Sequence, residues 1–256
     1  MTVPDDGAAW LRLVRHSMPP FWTVLAESTG GRVWREDGIT AAIVPGSPKR
    51  SFFNSVLYED AESLTASIGE LDRVYAEAGV EAWTVWVPEA DVAVAQALES
   101  AGHHLDATPR AMAMPIGDLR APETDPELEI REEADYELVS SLNEVAYGFA
   151  PGEFPVMRGD LSALRIYLGS IDEETVACAA AFTHGSDCEI TFVAVLPEGR
   201  GRGISGRLMA RALADAAEQG LETTTLQATK LGYPVYVKLG YADHGELQMW
   251  ERRRAD

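Results

Sequence analysis

The spacing of apolar residues divides the chain into alternating helices and strands, and the pattern is clearest from Leu128 onward. LEIREEAD predicts a short strand ending at a helix cap, Asp135, and YELVSSLNEVAYGF repeats apolar residues at helical intervals until Pro151 and Gly152 stop it. A second short helical or irregular piece follows around 154–159. Leu164 to Leu168 and Thr175 to Thr183 read as strands, HGSD at 184–187 as a turn, and CEITFVAV as a strand that ends before Pro197. These segments form an antiparallel meander. Alternation along CEITFVAV puts Glu189, Thr191, Val193 and Val195 on one face. In SGRLMARALADAAEQ, 205–219, Leu208, Ala212, Leu213 and Ala216 share one helical face, and Gly220 closes the helix. TTTLQAT is a β-branched strand, YPVYVKL a short helix with Pro234 near its start, and ELQMWER a final strand.

The N-terminal half is less regular, yet its end echoes the end of the chain. AWTVWVP, from Ala82, reads as a strand, DVAVAQALESAG as a helix stopped at Gly102, and HHLDATPRAMAMPI as a strand-like tail. Upstream, AESLTASIGELDRVYAEAGV at 61–80 corresponds to the helix that begins at Ser205. The repetition predicts a duplicated unit. DLRAPETDPE, Pro-rich and acidic, suits a boundary, and divides the chain into 1–122 and 127–256.

Composition narrows the function classes. The 256 residues are 46% hydrophobic and 24% charged, ordinary for a globular chain. MTVPDDGAAW has neither a basic region nor an apolar stretch of a leader, and no run approaches the roughly 18 apolar residues of a membrane helix. A cytoplasmic location is expected. Cys178 and Cys188 are offset in register across the predicted hairpin, so reduced thiols are expected. The formal charge of −20 argues against nucleic acid or an anionic membrane as partner. It fits a solvated surface, or attraction of a cationic amine. The histidines and cysteines show no metal-ligand spacing, and no metal is expected.

The richest segment is VAVLPEGRGRGISGRLM, 193–209. A strand runs into a loop of glycines and arginines, which opens into a helix with no acid in its first turn. Gly201, Gly203 and Gly206 permit close backbone approach. Successive N–H groups and the positive end of the helix dipole make an anion site. Arg200, Arg202, Arg207 and Arg211 reverse the local sign of a strongly acidic chain, which points to phosphate. The same glycines spell GxGxxG, but that dinucleotide fingerprint needs an acidic residue about twenty positions on, and TTTLQATK ends in Thr229 and Lys230.

Arg200, Gly201, Arg202, Gly203, Ile204 and Ser205 resemble the Q/R-x-x-G-x-G/A loop of the GNAT superfamily of N-acetyltransferases, with Ser205 where glycine or alanine is usual. YPVYVKLGYADHG resembles that family's second motif and places Tyr236 at the tyrosine that protonates the departing thiolate. Thr229 stands where the family often has asparagine. The resemblance covers about Leu128 to Arg253 and implies an α/β (α+β) GNAT fold, a mixed and mostly antiparallel sheet flanked by helices. Here it comes in two tandem GNAT-like halves, the first degenerate, because VLYEDAESL puts three acids where the loop would be.

The resemblance further implies acetyl-CoA as co-substrate and a primary amine, on a small molecule or peptide, as acceptor. Val193, Ala194 and Val195 would pair with the pantetheine arm, and an N–H of Val193 or Val195 would bond the thioester carbonyl. Glu189 resembles the glutamate that serves as base in histone-acetylating members. Asn143, Glu144 and Tyr147 are candidates for the acceptor pocket, or else an exposed helix face. The N-terminal half either covers the acceptor side or offers a homodimer surface. A non-catalytic acyl-CoA sensor or scaffold is the alternative to an enzyme.

Overall fold

The computed structural model describes residues 3–123, 125–159 and 161–254. In chain order the elements are α1 (Gly7–Ser28), β1 (Arg32–Glu36), β2 (Ile39–Ile43), β3 (Ser55–Tyr58), α2 (Ala61–Glu77), β4 (Ala82–Pro88), α3 (Val92–Ser100), β5 (His104–Ala107), β6 (Arg110–Pro115) and β7 (Glu129–Glu132). They continue with α4 (Tyr136–Tyr147), β8 (Leu164–Ile171), β9 (Glu174–His184), β10 (Asp187–Val195), α5 (Ile204–Glu218), β11 (Thr223–Ala228), α6 (Tyr233–Leu239) and β12 (Ala242–Arg253). The class is mixed α and β with mostly antiparallel pairing. Parallel pairs occur at β3 with β4 and β10 with β11.

The chain packs as two units, and neither is contiguous. One comprises residues 1–17 and 111–244, the other 18–110 and 245–256. In sequence both halves run strand, helix, strand, helix, strand: β3, α2, β4, α3, β5 and β10, α5, β11, α6, β12. Each sheet is finished by a strand from the other half of the chain. β6 lies beside β11, and β12 pairs antiparallel with β4 from Leu247 opposite Pro88 to Arg253 opposite Ala82. The sequence divisions 1–122 and 127–256 therefore assign 1–17, 111–122 and 245–256 to halves in which they do not pack. The cause is strand exchange, which hydropathy does not register.

In the unit containing 111–244, the sheet order is β6-β11-β10-β9-β8-β7. Asp135 caps α4 by accepting from Leu138 N–H at 2.9 Å, as the sequence predicted, and Gly148, at φ 70°, ends it before the Pro151 and Gly152 stop expected from the sequence. Residues 154–159 are irregular. Leu208, Ala212, Leu213 and Ala216 of α5 are buried, in one cluster with Ala177, Ala179, Cys188, Ile190 and Leu226. α4 covers the opposite face: its Asn143 amide reaches the sulfur of Cys178, which alternates with Ala177 and Ala179 along β9. Both cysteines are buried and free.

In the unit containing 18–110, the order is β1-β2-β3-β4-β12, with β5 on β12. Every residue of β3 and β4 is buried, as a parallel pair covered on both faces requires. Trp83 stacks on Tyr75 at 4.9 Å, and the Tyr75 hydroxyl donates to Ala42 O at 2.9 Å. Here α2 is capped by its own carboxylate, Asp60 accepting from Ser63 N–H at 2.7 Å.

Gly31 marks the tightest backbone approach in this unit: a Cβ there would sit 2.2 Å from Ile43 O and 3.0 Å from Ala26 O. Gly31→Ala is expected to cost about 3 kcal/mol of unfolding free energy, since backbone must move. Urea denaturation measures this, and a loss below about 0.5 kcal/mol, the usual surface value, would contradict the packing.

Candidate functional site

The site begins where two strands part. β10 and β11 pair only over Asp187–Glu189 with Thr223–Thr225. Past Glu189, β10 keeps β9 as its neighbour, but its register slips between Thr191 and Ala194, and Phe192 takes φ 49°. One extra residue has entered the strand, a β-bulge. Thr191 still opposes Ala180 and Ala194 opposes Cys178. The alternation read from the sequence therefore fails at this point: Glu189, Thr191 and Ala194 face α4, whereas Val193 and Val195 turn to the cluster under α5. The Val193 carbonyl accepts from the Tyr147 hydroxyl at 2.9 Å, and the Val195 carbonyl from Arg200 Nε at 3.2 Å.

The loop after β10 makes a short 3-10 turn at Pro197–Gly199 and enters α5 through Gly201 at φ 79° and Gly203 at φ 74°. Both angles favour glycine. Gly203 is the N-cap residue, no side chain caps α5, and its first turn carries no acid. Its leading amides are thus available to an anion, which fits a pyrophosphate. Ile204 is buried and anchors the turn, and Gly206 lets α5 approach Val235 and Leu239 of α6. The guanidinium groups are already engaged within the chain. Arg200 Nη2 donates to Ala146 O at 3.1 Å, Arg202 to Glu127 at 2.6 Å, Arg207 Nε to Glu123 O at 2.7 Å and Arg211 to Asp215 at 3.0 Å. Asp125 lies 3.8 Å from Arg202 and 3.9 Å from Arg207. Glu123, Asp125 and Glu127 thus lie against the loop arginines, a placement that reading this stretch as a mere boundary missed.

Tyr236, on α6, lies half-buried with its ring against Gly232: a Cβ on Gly232 would come within 2.7 Å of the ring. Burial raises its pKa above the ordinary tyrosine value, and the Tyr147 phenol adds to the shift. The proton is firmly held. Thr229 Oγ1 accepts from Gly232 N–H at 3.2 Å, and its carbonyl accepts from Tyr233 N–H at 2.9 Å, so Thr229 shapes the turn carrying the tyrosine.

Glu189 is 1% exposed. Its Oε1 accepts from Gln227 Nε2 at 3.2 Å, and its Oε2 is buried with no partner among the described residues. Burial pushes its pKa up to about 8. Asp187, also buried, accepts from Thr223 at 2.8 Å and Thr225 at 2.6 Å, and burial pushes it up to about 6. Asn143 donates to Val139 O at 2.8 Å, and Glu144 accepts from Gly152 N–H at 2.6 Å. These two hold the local structure. The sequence carries only part of the signal for Asp187 and Gln227: polar residues stand at 187 and 189 on one strand and at 225 and 227, either side of Leu226, on the next, but Thr224 breaks the alternation. Elsewhere, ligand atoms of His104, Asp106 and Glu251 lie within 4.8 Å of one another, but Arg253 holds the Glu251 carboxylate at 2.9 and 3.0 Å.

A strand parting from its parallel neighbour beside an uncapped glycine turn is the arrangement that the sequence resemblance implies. Residues 131–241 match the model of the Acetyltransferase (GNAT) family. Among solved structures it is similar to a GCN5-related N-acetyltransferase from Kribbella flavida, at TM-score 0.67 and 17% identity, covering 91% of this chain and 94% of that one. A GCN5-related N-acetyltransferase from Sphaerobacter thermophilus aligns at TM-score 0.60 and 15% identity, over 98% and 97%. A tandem GNAT protein from the clavulanic acid biosynthesis pathway aligns at TM-score 0.59 and 11% identity, over 96% of each chain. These likenesses establish the fold. No curated protein matches the sequence. Among the described residues, no helix is long and apolar enough to cross a membrane.

The buried carboxyls set a pH dependence of stability. Folded Glu189 keeps its proton up to about pH 8, whereas the unfolded residue loses it near 4.5. Its stabilising contribution is present below the unfolded value and is lost as pH rises through the folded one. Wild-type stability is expected to fall between pH 5 and 8, with Glu189 contributing on the order of 3 kcal/mol of the fall. Glu189→Gln, which cannot ionise, is expected to be the more stable protein at pH 9 in thermal melts. Equal slopes for the two proteins would refute the buried, protonated state.

Proposed function

We propose that this protein is an N-acetyltransferase that moves an acetyl group from acetyl-CoA directly to a primary amine, with Tyr236 as general acid and Glu189 as general base. The observation that carries the reading is the conjunction, in one packing unit, of the parted β10–β11 pair and the uncapped α5 N-terminus. The first releases β10 backbone from the sheet ladder beyond Glu189, and the second leaves the first amides of α5 without a side-chain cap. The amides from Gly201 to Ser205 hold the diphosphate, flanked by Arg200 and Arg202. The main chain of Val193, Ala194 and Val195 receives the pantetheine arm, and Thr229 fixes the turn on which Tyr236 stands. The acyl carbonyl takes a backbone N–H of Val193 or Val195 as charge develops.

Glu189 takes a proton from the ammonium or from the nitrogen as it bonds to the acyl carbon. Tyr236 gives its proton to sulfur as the carbon–sulfur bond breaks. A carboxylate poised near pH 8 suits an amine titrating above neutrality, because acid and base are then closely matched. The acceptor is a small-molecule or peptide amine, and the reaction needs no metal. The free buried thiols accord with a cytoplasmic setting. Asp60 occupies the corresponding helix start in the other unit, so one molecule of acetyl-CoA per chain is expected.

Calorimetry with acetyl-CoA and thiol release over a panel of primary amines test the reading. Tyr236→Phe is expected to lower kcat by about 10² to 10³ with little change in acetyl-CoA affinity. For wild type, kcat/KM should rise with pH to a plateau above about 8, as the Glu189 carboxylate forms. Tight binding with no thiol release for any amine would make the protein an acyl-CoA sensor. No binding at all would end both readings.

A further inference from the structure

Across the mouth of the parted strands only one hydrogen bond links β10 to β11 through side chains at Glu189, and it comes from a residue that the proposed mechanism leaves unused. Gln227 is the next residue of β11 on the face of Thr223 and Thr225, two positions beyond the last paired residue. Its Nε2 donates to Glu189 Oε1 at 3.2 Å, while Glu189 Oε2 has no partner among the described residues. The other buried acid on this face, Asp187, is committed to Thr223 and Thr225, and Thr225 is shared in turn with Ser17 at 3.0 Å. The division of labour is sharp. Hydroxyls satisfy Asp187, and a lone amide orients Glu189.

We propose that Gln227 is a positioning residue: by holding one oxygen of Glu189 across the open end of the β10–β11 pair, it fixes the carboxyl plane and reserves the second oxygen for the acceptor amine. The proposal rests on the reading of Glu189 as base. A carboxyl free to rotate about its last torsion would present either oxygen, or neither, to the nitrogen, and loss of orientation is costly in rate. An amide suits this task, since it donates without adding charge beside Asp187 and holds whichever protonation state Glu189 has.

The test uses the full-length protein with 13C-labelled glutamate side chains. The carboxyl resonance that titrates near pH 8 is assigned to Glu189 by its loss in Glu189→Gln. In Gln227→Met, which keeps volume and removes the donor, this midpoint is expected to rise by about half to one pH unit, the worth of one hydrogen bond to a carboxylate. Gln227→Asn, too short to reach, should behave alike and guards against a fold defect in either variant. With any amine from the panel that turns over, Gln227→Met should lower kcat more than it raises KM, and should have no further effect in a Glu189→Gln background. An unmoved midpoint in both variants, or an additive loss in the double variant, overturns the positioning role. If Glu189→Gln itself retains full activity, the base assignment fails instead.

Discussion

The site depends on one constraint: β10 and β11 are joined by only three residue pairs before they diverge. Buried backbone groups almost always find partners, so a parallel pair that stops early leaves donors and acceptors that something else must satisfy. The bulge at Phe192 sharpens the divergence, since the added residue bends β10 and strengthens its local twist. Side chains already reach for two of the freed carbonyls, Tyr147 at Val193 and Arg200 at Val195. An extended polar arm entering between the strands would meet a backbone edge prepared for it.

The two halves of the chain answer the same question in opposite ways. Each places a helix after the first strand of a parallel pair, and each helix begins with unpaired N–H groups. In α2 the Asp60 carboxylate fills that position, and Glu59 and Glu62 stand beside it. In α5 the N-cap is Gly203, with no side chain to offer, and its geometry needs a left-handed residue. An anion that binds at α5 would meet repulsion and an occupied cap at α2. A change of a few loop residues thus separates a helix start left without a side-chain cap from one capped by its own carboxylate.

Much of this was legible in the sequence, and what was not has physical causes. Asp135 and the apolar stripe of α5 behave as capping and periodicity rules require, whereas α4 stops at Gly148, short of the Pro151 and Gly152 break read from the sequence. The glycines at 201 and 203 take the positive φ their placement suggested. α1 escaped notice because Pro19 and Pro20 lie within a continuous helix, where each removes a backbone donor and would ordinarily end the element. Strand exchange was invisible because β6 and β12 carry the same alternation whichever sheet they complete. The bulge was equally hidden: no local rule distinguishes Phe192 from any strand aromatic, yet this one residue reverses the faces of Val193 and Val195. The partners of the loop arginines were missed for a simpler reason, since their acidic counterparts lie about eighty positions earlier.

Glu189 is a point where this part of the core carries an energetic cost. A buried carboxyl with an unpaired oxygen is a cost to folding, and an apolar residue of similar size on β10 would remove it. Asp187, two positions away, is equally buried but fully provided for by threonine hydroxyls, so this part of the fold can satisfy an acid where it has donors to offer. The neighbouring acid, at the mouth of the parted strands, is left half satisfied among the described residues. The cost at Glu189 Oε2 is shared, in the same unit, by Asn143 Oδ1, Ser186 Oγ and His244 Nε2, each buried without a partner among the described residues, but Glu189 is the one acid of this group.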